Sequence, residues 1–192
     1  MKKKSDHPNY GRGLGMTTQE WWHDFVQRVF LNAGYAGNHG VLKNVSDLLW
    51  DQFEQGITWE VLPRCHKSLS HLKSAGLKLG VVSNFDERLE KTLVVHDLAK
   101  YFDFLVTSVS VNVEKPDPAI FQHALRLSGI DSWDAAHVGD DISHDYQAAK
   151  GAGMRAFLLT SQTPPTEEVL KYADKKDIIS SLKELETRVL GE

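Results

Sequence analysis

From residue 17 onward, TTQEWWHDFVQRVFLNAG sets Trp22, Phe25, Val26, Val29 and Phe30 at the three- and four-residue spacing of one helix face. Thr17 or Thr18 can cap its start, Glu20 stands close behind, and Gly34 ends the run. A second periodic segment, VLKNVSDLLWDQFEQG, carries Val41, Val45, Leu48, Leu49, Trp50 and Phe53 before Gly56. Four of the five tryptophans, Trp21, Trp22, Trp50 and Trp59, fall in the first 60 residues. A stripe of that kind predicts the seam between two packed helices rather than a ligand-contacting face. Residues 1–16 are polar and glycine-rich without a period, which predicts loop.

After Pro63 the rhythm changes to alternating strand and helix. Residues 64–75 predict a helix, LKLGVVS (77–83) a buried strand, DERLEKTLVVHDL a helix and FDFLVTS a strand. PAIFQHALRLSG predicts a helix, AAHVG a strand, HDYQAAKGAG a helix and MRAFLLT a strand. Polar TSQTPPTEE follows, and IISSLKELETRVL predicts a closing helix. Short apolar runs between amphipathic helices point to right-handed βαβ units and a parallel sheet covered on both faces. The fold class is therefore α/β, Rossmann-like. Residues 1–60 are expected to form a partial helical cap and residues 61–192 the α/β core.

Composition narrows the function classes. Of 192 residues, 41% are hydrophobic and 25% charged, ordinary values for a soluble globular protein. The net charge of −4 gives no basic field for nucleic acid or an anionic membrane. No apolar run approaches the roughly 20 residues of a spanning helix, and MKKKSDHPNYG does not read as a signal peptide. The single cysteine, Cys65, has no metal-ligand spacing around it and no internal disulfide partner. An intracellular, cytoplasmic protein is expected. Nine histidines are present; His137 lies inside a strand, as a satisfied core residue, and His144 beside an acidic cluster is expected to be solvated.

In an open α/β sheet, ligands bind beyond the carboxyl ends of the strands. Ser83, Asn84, Phe85 and Asp86 leave the first such end, and Glu114, Lys115, Pro116 and Asp117 follow the second. Asp140 and Asp141 leave the third, with Asp145 a helical turn on. Singly, these residues are turn formers, helix starts and helix-dipole partners. Together they suit a phosphoryl group. Ser83, the Asn84 backbone N–H and Lys115 can donate to its oxygens, and a hard cation such as Mg²⁺ takes one or two carboxylates plus waters and substrate oxygen. Asp140 follows Gly139 directly and is the leading metal ligand. Asp145 can orient a metal-bound water or Lys115, and Asp141 is a metal candidate or only a cap.

These motifs resemble those of the haloacid dehalogenase superfamily of hydrolases. VVSNFD is similar to its second motif, EKPDPAIF to its third and HVGDDISHDYQAAKGAGM to its fourth, in order, from about residue 61 to 160. PNYGRGLGMTTQEWW, VVSNFDERLE and YFDFLVTS more narrowly resemble its domain-containing protein 3 group. The resemblance implies Mg²⁺-dependent hydrolysis of a phosphorylated small molecule through an aspartyl-phosphate intermediate. By motif, Ser83 and Lys115 would bind phosphate, Asp140 would ligate Mg²⁺ and Asp145 would support the site. Residues 17–60 would be most of a helical cap.

One departure stands out. The family's nucleophile lies in a first motif, an apolar strand ending in Asp-x-Asp, and no aspartate here has another two positions on. No nucleophile is therefore assigned, and a covalent pathway is lost with it. The expectation is a truncated or inactive form of a phosphatase-type hydrolase; the alternative is a non-catalytic phosphate- and Mg²⁺-binding or interaction protein. The resemblance also places that first strand between the strands ending at Ser83 and Gly139. Their inner edges should then be unpaired, unless they close on each other or a partner supplies a strand, and the chain less stable than a complete relative.

Overall fold

The computed structural model describes residues 9–56, 58–161 and 164–191. The loop expected over residues 1–8 lies outside these. Asn9–Leu14, also expected as loop, is a kinked 3₁₀ segment. Helix α1, Thr18–Asn32, starts on a reciprocal cap: Glu20 N–H donates to Thr17 Oγ1 (3.2 Å), and Thr17 N–H to Glu20 Oε2 (2.8 Å). Helix α2, His39–Glu54, is capped by Asn38, which accepts from Gly40 N–H at 2.6 Å. The tryptophan stripe is a seam, as expected: the Trp22 ring lies 6.4 Å from Trp50 and 5.2 Å from Phe53, both edge-on.

Helix α3, Cys65–Ser74, leads to β1, Gly80–Ser83, then α4, Arg88–Val95, and β2, Phe104–Thr107. A short helix α5, Ser108–Val111, precedes α6, Ala119–Ser128, and β3, Ala136–Gly139. A π-type turn, Ile142–Gln147, runs into α7, Ala148–Gly151, and β4, Arg155–Leu159, follows. The chain closes through α8, Glu167–Leu170, β5, Ile178–Ile179, and α9, Leu182–Leu190. Two assignments differ from expectation. Ile178 and Ile179 form a strand rather than a helix start, because two buried β-branched residues pair with Leu158 and Leu159 on β4. The closing helix begins later, where Ser181 Oγ accepts from Glu184 N–H.

All pairings are parallel, as predicted, but the strands form two sheets among the described residues. In one, β1 pairs with β2 from Gly80↔Phe104 to Ser83↔Thr107; in the other, the order is β3-β4-β5. No ladder joins β1 to β3, so each keeps one unpaired edge among the described residues. Burial follows the same division: β1 and β3 hold only half-exposed or exposed residues, whereas β2 and β4 bury Val106, Thr107, Ala156, Phe157 and Leu158. One core still spans both sheets, joining Val106 of β2 and Ile120, Phe121 and Ala124 of α6 to Tyr146, Ala149, Ala156 and Leu158. Among the described residues, no helix is long and apolar enough to cross a membrane.

Candidate functional site

Lys115 sits where the two sheets meet and is 9% exposed. Its ammonium donates to the Val82 carbonyl at 3.2 Å and to Asp145 Oδ1 at 2.5 Å. Val82 belongs to β1, and Asp145 to the turn after β3, so one buried cation ties the unjoined strands together. His137 Nε2, on β3, lies 3.0 Å from the same Asp145 oxygen, while Asp145 Oδ2 accepts from Asp141 N–H at 3.1 Å. Burial, the largest influence on the Asp145 carboxyl, pushes it up. Hydrogen bonds from His137 and Lys115, with the charge of the ammonium, outweigh burial and hold the group below the usual carboxylate range.

The strand ends deliver the remaining predicted residues to either side of this bridge. Ser83 follows Val82; among the described residues, its hydroxyl makes no hydrogen bond. Asn84 is locked to the Lys115 backbone in both directions: its Nδ2 donates to the Lys115 carbonyl (2.8 Å), and its Oδ1 accepts from the Lys115 N–H (2.7 Å). On the far side, Gly139 passes so close beneath Asp145 that a Cβ there would lie 2.2 Å from Asp145 Cγ. Only glycine lets the strand end approach the carboxylate. Asp140 follows it, exposed and outside every hydrogen bond and ion pair among the described residues.

The three aspartates therefore divide their roles. Asp145 is engaged by Lys115 and His137. Asp141 Oδ1 accepts from Ser143 N–H at 2.8 Å and His144 N–H at 2.7 Å, and so caps the turn. His144 joins it, with Nδ1 3.0 Å from Asp141 Oδ1. Asp140 alone keeps an uncommitted carboxylate. Among the described residues, no group of three His, Cys, Asp or Glu side chains could cage a metal by itself.

Two contributors escape the sequence pattern. Tyr10, in the stretch expected to be loop, donates from its phenol to the Asn84 carbonyl at 2.7 Å. Arg88, expected only as part of a helix, chelates Asp86 (Nε 2.9 Å, Nη2 2.5 Å) with its guanidinium 3.9 Å from the Trp50 ring and 4.7 Å from Trp22. The lone aromatic within PNYG was a signal for the first; nothing local marks the second. A separate hollow of about 460 Å³ opens beside β2, lined by Glu90, Leu93, Phe102 and Leu105 among others, and none of Ser83, Lys115 or Asp140 lines it.

The haloacid dehalogenase-like hydrolase family profile matches residues 21–159. Haloacid dehalogenase-like hydrolase domain-containing protein 3 of Mus musculus is 40% identical over 178 residues, 93% of this chain and 70% of the relative. A phosphatase of this family from Thermococcus onnurineus shares 25% identity with a TM-score of 0.68, over 96% of this chain and 86% of that one. The 2-haloacid dehalogenase from Pseudomonas syringae pv. Tomato DC3000 shares 26% identity with a TM-score of 0.68, over 98% of this chain and 76% of that one.

Proposed function

The chain belongs to the haloacid dehalogenase-like hydrolase family, and from that premise we propose that its site recognises the phosphoryl group of a small phosphate monoester together with Mg²⁺. The observation that carries this reading is the bridge at Lys115. A cation is held between Val82 O and Asp145, while Ser83, with an uncommitted hydroxyl, follows Val82 in the chain and Asp140, with an uncommitted carboxylate, follows Gly139, which lies against Asp145.

Lys115 supplies fixed positive charge, and Ser83 with the Asn84 N–H supplies donors to phosphoryl oxygens. Because Lys115 is already gripped at two points, little reorganisation is needed when an anion arrives. Asp140 would repel an anionic substrate unless a cation stood between them. That favours a Mg²⁺-bound phosphate over a lone carboxylate substrate, such as the name of the Pseudomonas relative suggests for that enzyme. Mg²⁺ held by Asp140 would neutralise charge on the phosphoryl oxygens. Hydrolysis through an aspartyl intermediate further needs an attacking carboxylate, and the 192 residues contain no Asp-x-Asp pair to provide one.

The test measures inorganic phosphate binding by calorimetry with and without Mg²⁺, and turnover of p-nitrophenyl phosphate, on the 192-residue chain. The expected result is saturable, Mg²⁺-enhanced binding, lost in Lys115→Ala and stripped of its Mg²⁺ dependence in Asp140→Ala, with little or no turnover. No phosphate binding would overturn the reading. Substantial turnover abolished by Asp140→Ala would reveal a nucleophile elsewhere in the chain.

A further inference from the structure

Tyr10 holds an unfavourable backbone conformation for the sake of one hydrogen bond. Its φ of 57° and ψ of 33° lie in the left-handed region that disfavours an aromatic residue, and Gly11 follows at φ 73°. Strained residues persist where their surroundings over-determine them. Here the Tyr10 ring meets Trp21 edge-on at 4.7 Å, and Trp21 stacks on Phe25 at 5.3 Å. Both belong to α1, whose first turn is fixed by the Thr17–Glu20 cap. A rigid helix thus delivers the phenol to an acceptor 74 residues away, the Asn84 carbonyl.

That carbonyl is one of three arms at the Asn84 Cα. The carboxamide arm is clamped on the Lys115 backbone through two hydrogen bonds. With the carbonyl arm held by Tyr10 and the side-chain arm by Lys115, two of the three arms are fixed, and the third carries the backbone N of the Ser83–Asn84 peptide. Its N–H is the backbone donor of the phosphate site.

We propose that Tyr10 is a positioning residue of this site: by holding the Asn84 carbonyl, it sets the direction of the Asn84 N–H and couples α1 to anion recognition. This rests on the reading of Ser83, Asn84 and Lys115 as phosphate donors. Thr18 supplies an internal contrast, because its hydroxyl ties the same helix to Glu87 at 3.0 Å without touching Asn84.

The experiment compares the unmutated chain, Tyr10→Phe and Thr18→Ala in inorganic phosphate titrations with Mg²⁺ and in residue-resolved hydrogen exchange. Tyr10→Phe keeps the ring and removes only the hydroxyl. It is expected to weaken phosphate binding about 2- to 10-fold, the range that one net hydrogen bond covers. It should also speed exchange of the Lys115 N–H, which bonds Asn84 Oδ1, while leaving Val106 in β2 unchanged. Thr18→Ala should leave phosphate affinity and Lys115 exchange as they are. Unaltered affinity and unaltered Lys115 exchange in Tyr10→Phe would overturn the proposal, as would an equal loss of affinity in both variants. If the unmutated chain binds no phosphate, the anion reading falls by itself. Lys115 exchange then decides whether Tyr10 holds the loop: faster in Tyr10→Phe alone supports the coupling, and no change refutes it.

Discussion

Lys115 and Asp145 show how much one buried pair can decide. Each is less than a tenth exposed, and Lys115 bonds Val82 of β1 on one side and Asp145 of the turn after β3 on the other. Removing Lys115 leaves the buried Asp145 carboxylate with only His137 and the Asp141 N–H, and breaking a buried pair costs about 3–5 kcal/mol. Lys115→Ala is therefore expected to lower unfolding free energy by that order in urea titrations, and Lys115→Ala with Asp145→Asn to lower it by clearly less than the two single changes added. The pH dependence has a definite sign. The folded Asp145 carboxyl is held below its ordinary range, so its contribution is fully present above the unfolded value of about 4 and is lost as pH falls through the lower folded value. Asp145→Asn should flatten the acid side of the stability profile below about pH 4, and an unchanged acid limb would contradict the assigned role. Ser83, Lys115 and Asp140 stood out in the sequence because polar residues in the loops after parallel strands occupy the edge where open α/β sheets bind ligands. Tyr10 and Arg88 did not, because the Asn84 carbonyl stands 74 residues from Tyr10 and the tryptophans that Arg88 meets lie on α1 and α2.

At the scale of elements, the open edges of β1 and β3 are the weak point. In a parallel ladder, alternate backbone groups point to each neighbour, so a strand paired on one side leaves alternate groups without a ladder partner. The Lys115 ammonium occupies one such carbonyl, at Val82. Native-state hydrogen exchange should show fast amides within residues 80–83 and 136–139 against strong protection at 156–158 in β4, which is paired on both sides. Uniform protection across β1, β3 and β4 would mean that the edges are covered in solution. The two-residue strand β5 illustrates a limit of periodicity: IISS followed by an amphipathic run extends smoothly into a helix pattern, and only the vacant side of β4 makes Ile178 and Ile179 a strand.

For the whole molecule, the loop after Ser83 is where the helices before residue 60 grip the core. Tyr10 holds Asn84, Thr18 holds Glu87, Trp59 meets Phe85 edge-on at 5.7 Å, and Arg88 lies over Trp50 and Trp22. Arg88 is 4% exposed and Asp86 1%, so the pair is neutral as a unit while its aromatic walls supply cation–π contact. Arg88→Met should expose this coupling: an unpaired Asp86 carboxylate costs about 3–5 kcal/mol, and tryptophan fluorescence should shift as the Trp22 and Trp50 environment loosens. Arg88→Lys keeps the charge but not the planar fork, and is expected to recover only part of the loss in thermal melts. Full recovery by lysine would show that charge alone holds the helices.

Hydrophobic period and capping residues were sufficient for the α/β class, the helical seam and the parallel sense of the strands. Each of these depends on contacts within a few residues or on rules common to all open parallel sheets. The pairing of Ile178 and Ile179 with β4, the contact of His137 with Asp145 and the pinning of Asn84 by Tyr10 were decided only by the tertiary structure. Their partners lie on other elements of the chain, and such pairing is set by what the packed core leaves within reach.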